Sequence, residues 1–194
     1  MKRTDLFTER LKLRLIDMSD VVSVHQLHSL PETDMFNTLG IPKNISETHS
    51  VIEPWVQDNQ QQEITNYTFA IEQNKGNQFI GLIALKLRSR KYNRAEVWYK
   101  LHSAYWGKGF GTEALSRILD FGFNDLKLHR IEAGCAVDNI GSSRVLEKAG
   151  MTKEGRKRQV LPLKSGWADN FEYAILETDK RMYHPHTVKT EKAV

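Results

Sequence analysis

The stretch Tyr105–Leu115 reads YWGKGFGTEAL and carries glycine at 107, 109 and 111. A turn stripped of Cβ atoms lets a ligand reach the backbone and lets consecutive N–H groups converge. AEVWYKLH before it alternates like a strand. After it, Phe110, Ala114, Leu115, Ile118 and Phe121 or Gly122 form one helical stripe. The first N–H groups of such a helix have no intrahelical partner, and the helix dipole makes that end positive. A strand, a bare turn and a helix start together make a cradle for phosphate. Trp106, Gly107, Lys108, Gly109, Phe110, Gly111 and Thr112 are therefore the expected phosphate or pyrophosphate site, acting through backbone amides, with Lys108 adding charge at the rim. Glu113, one residue further on, must point aside to avoid repelling the ligand. The plain alternative is a tight strand-to-helix turn that holds nothing. The pattern is neither a G-x-x-x-x-G-K-[ST] triphosphate loop nor a dinucleotide fingerprint, whose third glycine falls elsewhere.

Other elements must hold this turn in place. ERLKLRLI alternates Leu11, Leu13 and Leu15 against Arg10, Lys12 and Arg14, as a half-buried strand does. Ser19 is the expected cap of a helix carrying Val22, His25 and Leu27. Ser46 is the expected cap of a second, with Val51, Ile52, Trp55 and Val56 on one face. LPETDMFNTLGIPKN is rich in turn residues and reads as a loop between them. NYTFAIEQ and QFIGLIALKL read as strands joined by the hairpin turn NKGN. In AEVWYKLH, Ala95, Val97, Tyr99 and Leu101 share one face, and Glu96, Trp98 and Lys100 the other. RIEAGCAV is a strand, and NIGSSRVLEKAG is a short helix stopped by Gly150 in a left-handed cap. Two more strands fall around MTKEGRKRQVL and ADNFEYAILE. This order predicts an α/β (α+β) fold with a mixed, mostly antiparallel sheet of about seven strands and about four helices. Residues 1–180 read as one domain and 181–194 as a polar tail.

The 194 residues, 40% of them hydrophobic, suit a single core. A net charge of +4 suits an anionic ligand without requiring nucleic acid. The basic run Lys153–Arg158 has no interleaved aromatic to stack bases and reads as a solvated hairpin. Cys135 is the lone cysteine and falls in a buried strand, which excludes an intrachain disulfide and a multi-cysteine metal site. The histidines lack ligand spacing with a supporting carboxylate, so no metal is expected. The N-terminal stretch has no apolar core of signal-peptide length and no later run is long enough to span a bilayer, so a soluble cytoplasmic protein is expected.

These motifs together resemble the GNAT superfamily of acetyl-CoA-dependent N-acetyltransferases, and within it the branch that acetylates the N-terminal alanine or serine of ribosomal proteins. Gly109 and Gly111 match the superfamily's [QR]-x-x-G-x-[GA] loop, with Trp106 where Gln or Arg is usual; YWGKGFGTEA fits the branch's own pattern closely. In DNIGSSRVLEKAGM, Asn139, Ser142, Arg144, Glu147, Lys148 and Gly150 match, and Met151 replaces a Phe. TERLKLRLIDMSD looks like the branch's first strand. The likeness spans about residues 8–178.

The resemblance implies a GNAT-like domain in which an amine attacks the thioester of acetyl-CoA directly. It implies that the backbone at Tyr99, Lys100 and Leu101 pairs with the pantetheine arm and donates to the oxyanion. It places Glu96 as the base, Ser142 as proton donor to the departing thiolate, Asn139 on the pantetheine amide, and Lys148 within the cofactor-binding set. Each has a plainer counterpart: Glu96 as a surface partner of Arg94 or Lys100, and Ser142 as a helix cap. Trp98 stands where the branch has Gly, so its ring either narrows the acceptor channel or packs aside against a helix. Leu146 stands where many members carry a tyrosine acid, which leucine cannot replace. His102 is the one histidine near this chemistry.

An α-amine titrates near 8 and a lysine near 10.4, so an α-amine acceptor needs only a modest base. The expected acceptor is a peptide or protein N-terminus, of the ribosomal-protein type. A small amine such as a polyamine or aminoglycoside is the alternative acceptor, and an acetyl-CoA-binding module without turnover is the alternative class. Carboxylates lining the acceptor cleft favour a polycation; Glu32, Asp34, Glu47 and Glu53 are the candidates. No direct nucleic-acid or membrane partner is expected, and a homodimer is left open.

Overall fold

The computed structural model describes residues 4–181; the tail from 182 onward lies outside the described residues. The alternating start of the chain forms two antiparallel strands, β1 (Leu6–Phe7) and β2 (Leu11–Leu15). Leu11 and Leu13 are fully buried, while Arg14 on the opposite face joins Asp20 at 2.7 Å and Glu72 at 2.8 Å. Asp20 also closes a capping box with Asp17, so the cap of the following turn is Asp17 and not Ser19. The Asp17 carboxylate accepts from both the Ser19 N–H at 2.7 Å and the Ser19 hydroxyl at 2.6 Å, so the serine acts as donor here.

Helix α1 (Val21–His28) follows, then α2 (Pro31–Asp34) and α3 (Ile45–Asn59). The segment read as loop thus contains a short helix, begun by Pro31 at a position where its missing N–H is harmless. Asn44, and not Ser46, caps α3 by accepting from the Glu47 N–H. The hairpin strands are β3 (Asn66–Gln73) and β4 (Phe79–Leu87), and β5 (Arg94–Leu101) follows the basic loop. Next come α4 (Phe110–Asp120), a π-type turn at Phe121–Asp125, β6 (Arg130–Ala136) and α5 (Ile140–Lys148). Gly150 ends α5 at φ +93°, the left-handed cap that the sequence called for. The chain closes with β7 (Thr152–Leu163) and β8 (Gly166–Leu176).

One sheet holds all eight strands in the order β1-β2-β3-β4-β5-β6-β8-β7. Every pairing is antiparallel except β5 with β6. The extra strand and helix over the sequence expectation are the two-residue β1 and the four-residue α2. One face of the sheet packs Leu13, Phe69, Ile83 and Val97 against Ala114, Leu115 and Ile118 of α4. The other packs Ile16 and Leu82 against Val24 and Leu27 of α1 and Ile52 and Val56 of α3. Among the described residues no helix is long and apolar enough to cross a membrane.

The parallel junction decides where a ligand can enter. β5 and β6 pair only at Arg94↔Arg130, Ala95↔Ile131 and Glu96↔Glu132. Beyond Glu96 the strands part, and their facing edges from Val97 and Ala133 onward have no ladder between them. On its other edge β5 stays paired with β4, where Gly81 faces Leu101. A Cβ at Gly81 would lie 2.3 Å from the Lys100 carbonyl oxygen, so glycine there is what lets β4 close on the end of β5.

Candidate active site

A cleft of about 1040 Å³ opens in this fork and runs from the start of α4 through the sheet to α2. Its first half is the glycine turn. Gly107 and Gly109 have φ of +71° and +82°, and Gly109 is the N-cap of α4 with no side-chain cap bond. Gly107, Gly109, Gly111 and Thr112 line the cleft. A Cβ at Gly111 would touch Val145 at 3.4 Å, so the bare backbone also lets α4 and α5 approach. Uncapped N–H groups, left-handed glycines and a positive helix end fit a pyrophosphate.

Three side chains at this turn serve other ends. The Trp106 indole donates to the Leu101 carbonyl at 2.8 Å and pins the turn to the end of β5. Lys108 donates to the Ala104 carbonyl at 2.8 Å and lies outside the cleft lining, so it does not stand at the rim. The Phe110 ring is buried in the core under the Arg10 guanidinium, 4.4 Å away, leaving only its backbone for a ligand. Glu113 is turned aside, 1% exposed, and accepts from Thr8 Oγ1 at 2.6 Å, the Arg10 N–H at 2.9 Å and Arg10 Nε at 2.6 Å.

The wall opposite the open edge of β5 is α5. Asn139 caps it, its Oδ1 accepting from the Ser142 N–H at 3.0 Å. Ser142 is therefore free of the capping role, and its Oγ lies 2.8 Å from the Tyr99 hydroxyl. Burial pushes the Tyr99 phenol well above its ordinary range, with the Ser142 bond pulling back. Tyr99 thus keeps its proton and holds the Ser142 hydroxyl in place. Lys148, at the far end of α5, also lines the cleft. Cys135 lines it too, 7% exposed, its thiol raised by burial and 3.4 Å from Ser143 Oγ. Tyr99→Phe is expected to lower kcat about 5-fold, the worth of one lost hydrogen bond, with KM little changed and a fall of about 3 °C in melting temperature. Steady-state kinetics beside a thermal scan read that split.

The second half of the cleft lies on the opposite face of the sheet. Trp98 packs aside against Trp55 of α3, ring centroids 5.4 Å apart, and Trp55 meets His28 of α1 edge-on at 6.5 Å. His28, Trp55, Trp98 and Lys100 line this half, with Glu32, Met35 and Leu39 toward its mouth. Burial lowers His28 to about 4, so its ring is neutral. Burial also lowers Lys100 to about 8, against the opposing pull of Asp34.

The expected base is not here. Glu96 falls on the last paired residue of the junction, before the fork opens, and its carboxylate is ion-paired with Arg88, 42% exposed on the surface. Its partner is neither Arg94 nor Lys100. His102 accepts from the Ala104 N–H through Nδ1 at 3.2 Å and is committed to that turn. Strand alternation placed Glu96, Trp98 and Lys100 on one face correctly. It gave no signal for where β6 lets go of β5, and so could not single out Lys100. Among the described residues no cluster of His, Cys, Asp and Glu is arranged to hold a metal ion.

A forked sheet, with an anion cradle at the start of the helix between its arms, defines a coenzyme A-dependent acyltransferase. Residues 10–152 match the family model for the acetyltransferase (GNAT) domain, and the chain belongs to that family, whose cosubstrate is acetyl-CoA. It is similar to the uncharacterised N-acetyltransferase YoaA of Bacillus subtilis, 31% identical over 172 residues that cover 89% of this chain and 96% of that protein. It is 25% identical over 174 residues to the ribosomal-protein-serine acetyltransferase of Escherichia coli, covering 90% of this chain and 97% of that protein. Its fold matches the spermidine N-acetyltransferase from Vibrio cholerae, solved with CoA and spermine, at a TM-score of 0.76 and 23% identity, over 86% of this chain and 95% of that one.

Proposed function

We propose that this N-acetyltransferase acts on the α-amine of a peptide or protein N-terminus, of the ribosomal-protein type, in the cytoplasm. The observation that carries this reading is the charge of the acceptor half. Of the four candidate carboxylates only Glu32 lines the cleft, at its exposed mouth; the other lining carboxylate, Asp138, stands beside Asn139 at the start of α5, in the cofactor half. Asp34 is buried, Glu47 accepts from the Lys43 N–H at the start of α3, and Glu53 faces His49. A lysine stands in their place. A polyamine brings several ammonium groups and finds one solvated carboxylate and one cation. A peptide brings one amine and apolar side chains, and the mouth offers Met35 and Leu39, 59% and 47% exposed. Likeness to the Escherichia coli enzyme supports the same reading; likeness to the Vibrio cholerae enzyme makes spermidine the competing acceptor.

In this reading the pyrophosphate rests on the amides of Gly109–Thr112, and the pantetheine arm pairs with the open edge of β5 at Tyr99–Leu101. The acceptor enters past Met35 and meets the thioester in the fork. Ser142, held by Tyr99, supplies a proton to the departing thiolate. Thiol release from acetyl-CoA tests it, measured with short peptides beginning in Ala or Ser, with spermidine and with an aminoglycoside. The peptides are expected to exceed spermidine in kcat/KM by about tenfold or more. A spermidine preference would transfer the assignment to the polyamine reading, and cofactor binding without release on any acceptor to the non-catalytic one.

A further inference from the structure

We propose that Lys100 is the base that takes the proton from the acceptor's ammonium, freeing the amine to attack the thioester; this rests on the α-amine reading above. Lys100 is one of the residues lining the cleft, on the face it shares with Trp98, and its Nζ is buried without a hydrogen-bond partner. A lone pair held there competes with no protein donor. Asp34 Oδ1 is likewise buried and unpartnered, and the Asp34 charge favours the protonated lysine. The pair is a proton acceptor with a stabiliser waiting for the charge that the transfer creates.

The surroundings leave few rivals. From α1, His28 faces this space with His25 behind it, and the lowered His28 is too weak a base. From α2 come Asp34 and, at the mouth, Glu32. From α3 comes the uncharged Trp55, and from β4 Leu82, the register partner of Lys100. On β5 itself Trp98 is apolar and Glu96 is engaged by Arg88. Burial brings Lys100 to about 8, level with a peptide α-amine, so the proton moves between groups of similar strength. The sign follows: the working form is the neutral lysine, so the rate rises with pH through that value.

The transfer balances simply. The ammonium nitrogen gives a proton to Nζ. Its freed lone pair forms the C–N bond as the C–S bond breaks, and the nitrogen's next proton ends on the thiol. Lys100 returns its own proton to water before the next turnover.

The test compares Lys100→Met, an apolar replacement of similar length, on two acceptors. One is an Ala-initiated peptide; the other is the same peptide begun with an aminooxyacetyl group, whose nitrogen is already neutral near pH 7. On the amine peptide at pH 7 the variant is expected to lose about 100-fold in kcat/KM, with the loss shrinking as pH rises and the acceptor deprotonates itself. On the aminooxy peptide it is expected to lose less than about 3-fold. Equal losses on both acceptors, or none on either, overturn the proposal. A second measurement needs no acceptor: the titration of the Lys100 Cε resonance in the intact protein. A midpoint near 8 supports the proposal, and the ordinary lysine value of 10.5 overturns it. Should the wild-type protein acetylate neither peptide, the α-amine reading fails, while the lysine titration still decides the fate of Lys100.

Discussion

Replacing Gly109 with valine is expected to weaken coenzyme A binding about 30-fold, near 2 kcal/mol, while the fold survives. Gly109 holds φ +82°, a region that a β-branched residue resists. A Cβ there would also lie 3.3 Å from the Arg10 guanidinium, so it has little room to relax by shifting that way. The backbone must rotate, and the N–H groups of Phe110, Gly111 and Thr112 lose their common aim. Gly155→Val is the control, because that position has negative φ and open space around its Cβ. Calorimetric titration with coenzyme A separates the two. Wild-type affinity in the Gly109 variant would remove the cradle from the argument.

The second large effect concerns Glu113. Glu113→Ala is expected to cost about 3 kcal/mol of stability, at the low end for a broken ion pair because Arg10 keeps 44% of its side chain in water. For a chain of this size that is a fall of about 10 °C in melting temperature. The change removes the acceptor shared by Thr8 Oγ1, the Arg10 N–H and the Arg10 guanidinium. It also unfastens the N-terminal strands from the first turn of α4, so cofactor affinity should fall with stability. Glu113→Gln, which still accepts hydrogen bonds, is expected to lie between. A thermal scan of both variants gives the answer, and an unchanged melting temperature in the alanine variant would contradict this account.

Local signals made much of this molecule legible. Bare positions 107, 109 and 111, the alternation in Asn66–Gln73 and Phe79–Leu87, and the Gly150 stop depend on neighbours a few residues away. Caps were harder, because Asp17 and Asn44 compete with nearby Ser19 and Ser46, and only geometry says which oxygen faces a free N–H. The helix Pro31–Asp34 looks like a turn because its residues favour both. The places of Glu96 and Lys100 relative to the cleft could not be told apart from the sequence. They are equivalent by alternation and differ only in their place relative to the junction with β6, a contact between segments more than thirty residues apart. The meeting of Lys100 with Asp34 and His28 depends on how α1 and α2 pack, and on-face patterns do not encode that.

The three-residue junction between β5 and β6 carries one more consequence. It is the whole of the ladder joining a five-strand slab to a three-strand slab, and the fork beyond it leaves the facing main-chain edges without ladder partners. In the proposed binding mode a pantetheine arm lying in that gap is a keystone, completing the span where polypeptide is absent. Free protein should therefore flex about the seam, and saturation with the thioester should stiffen both slabs into one body.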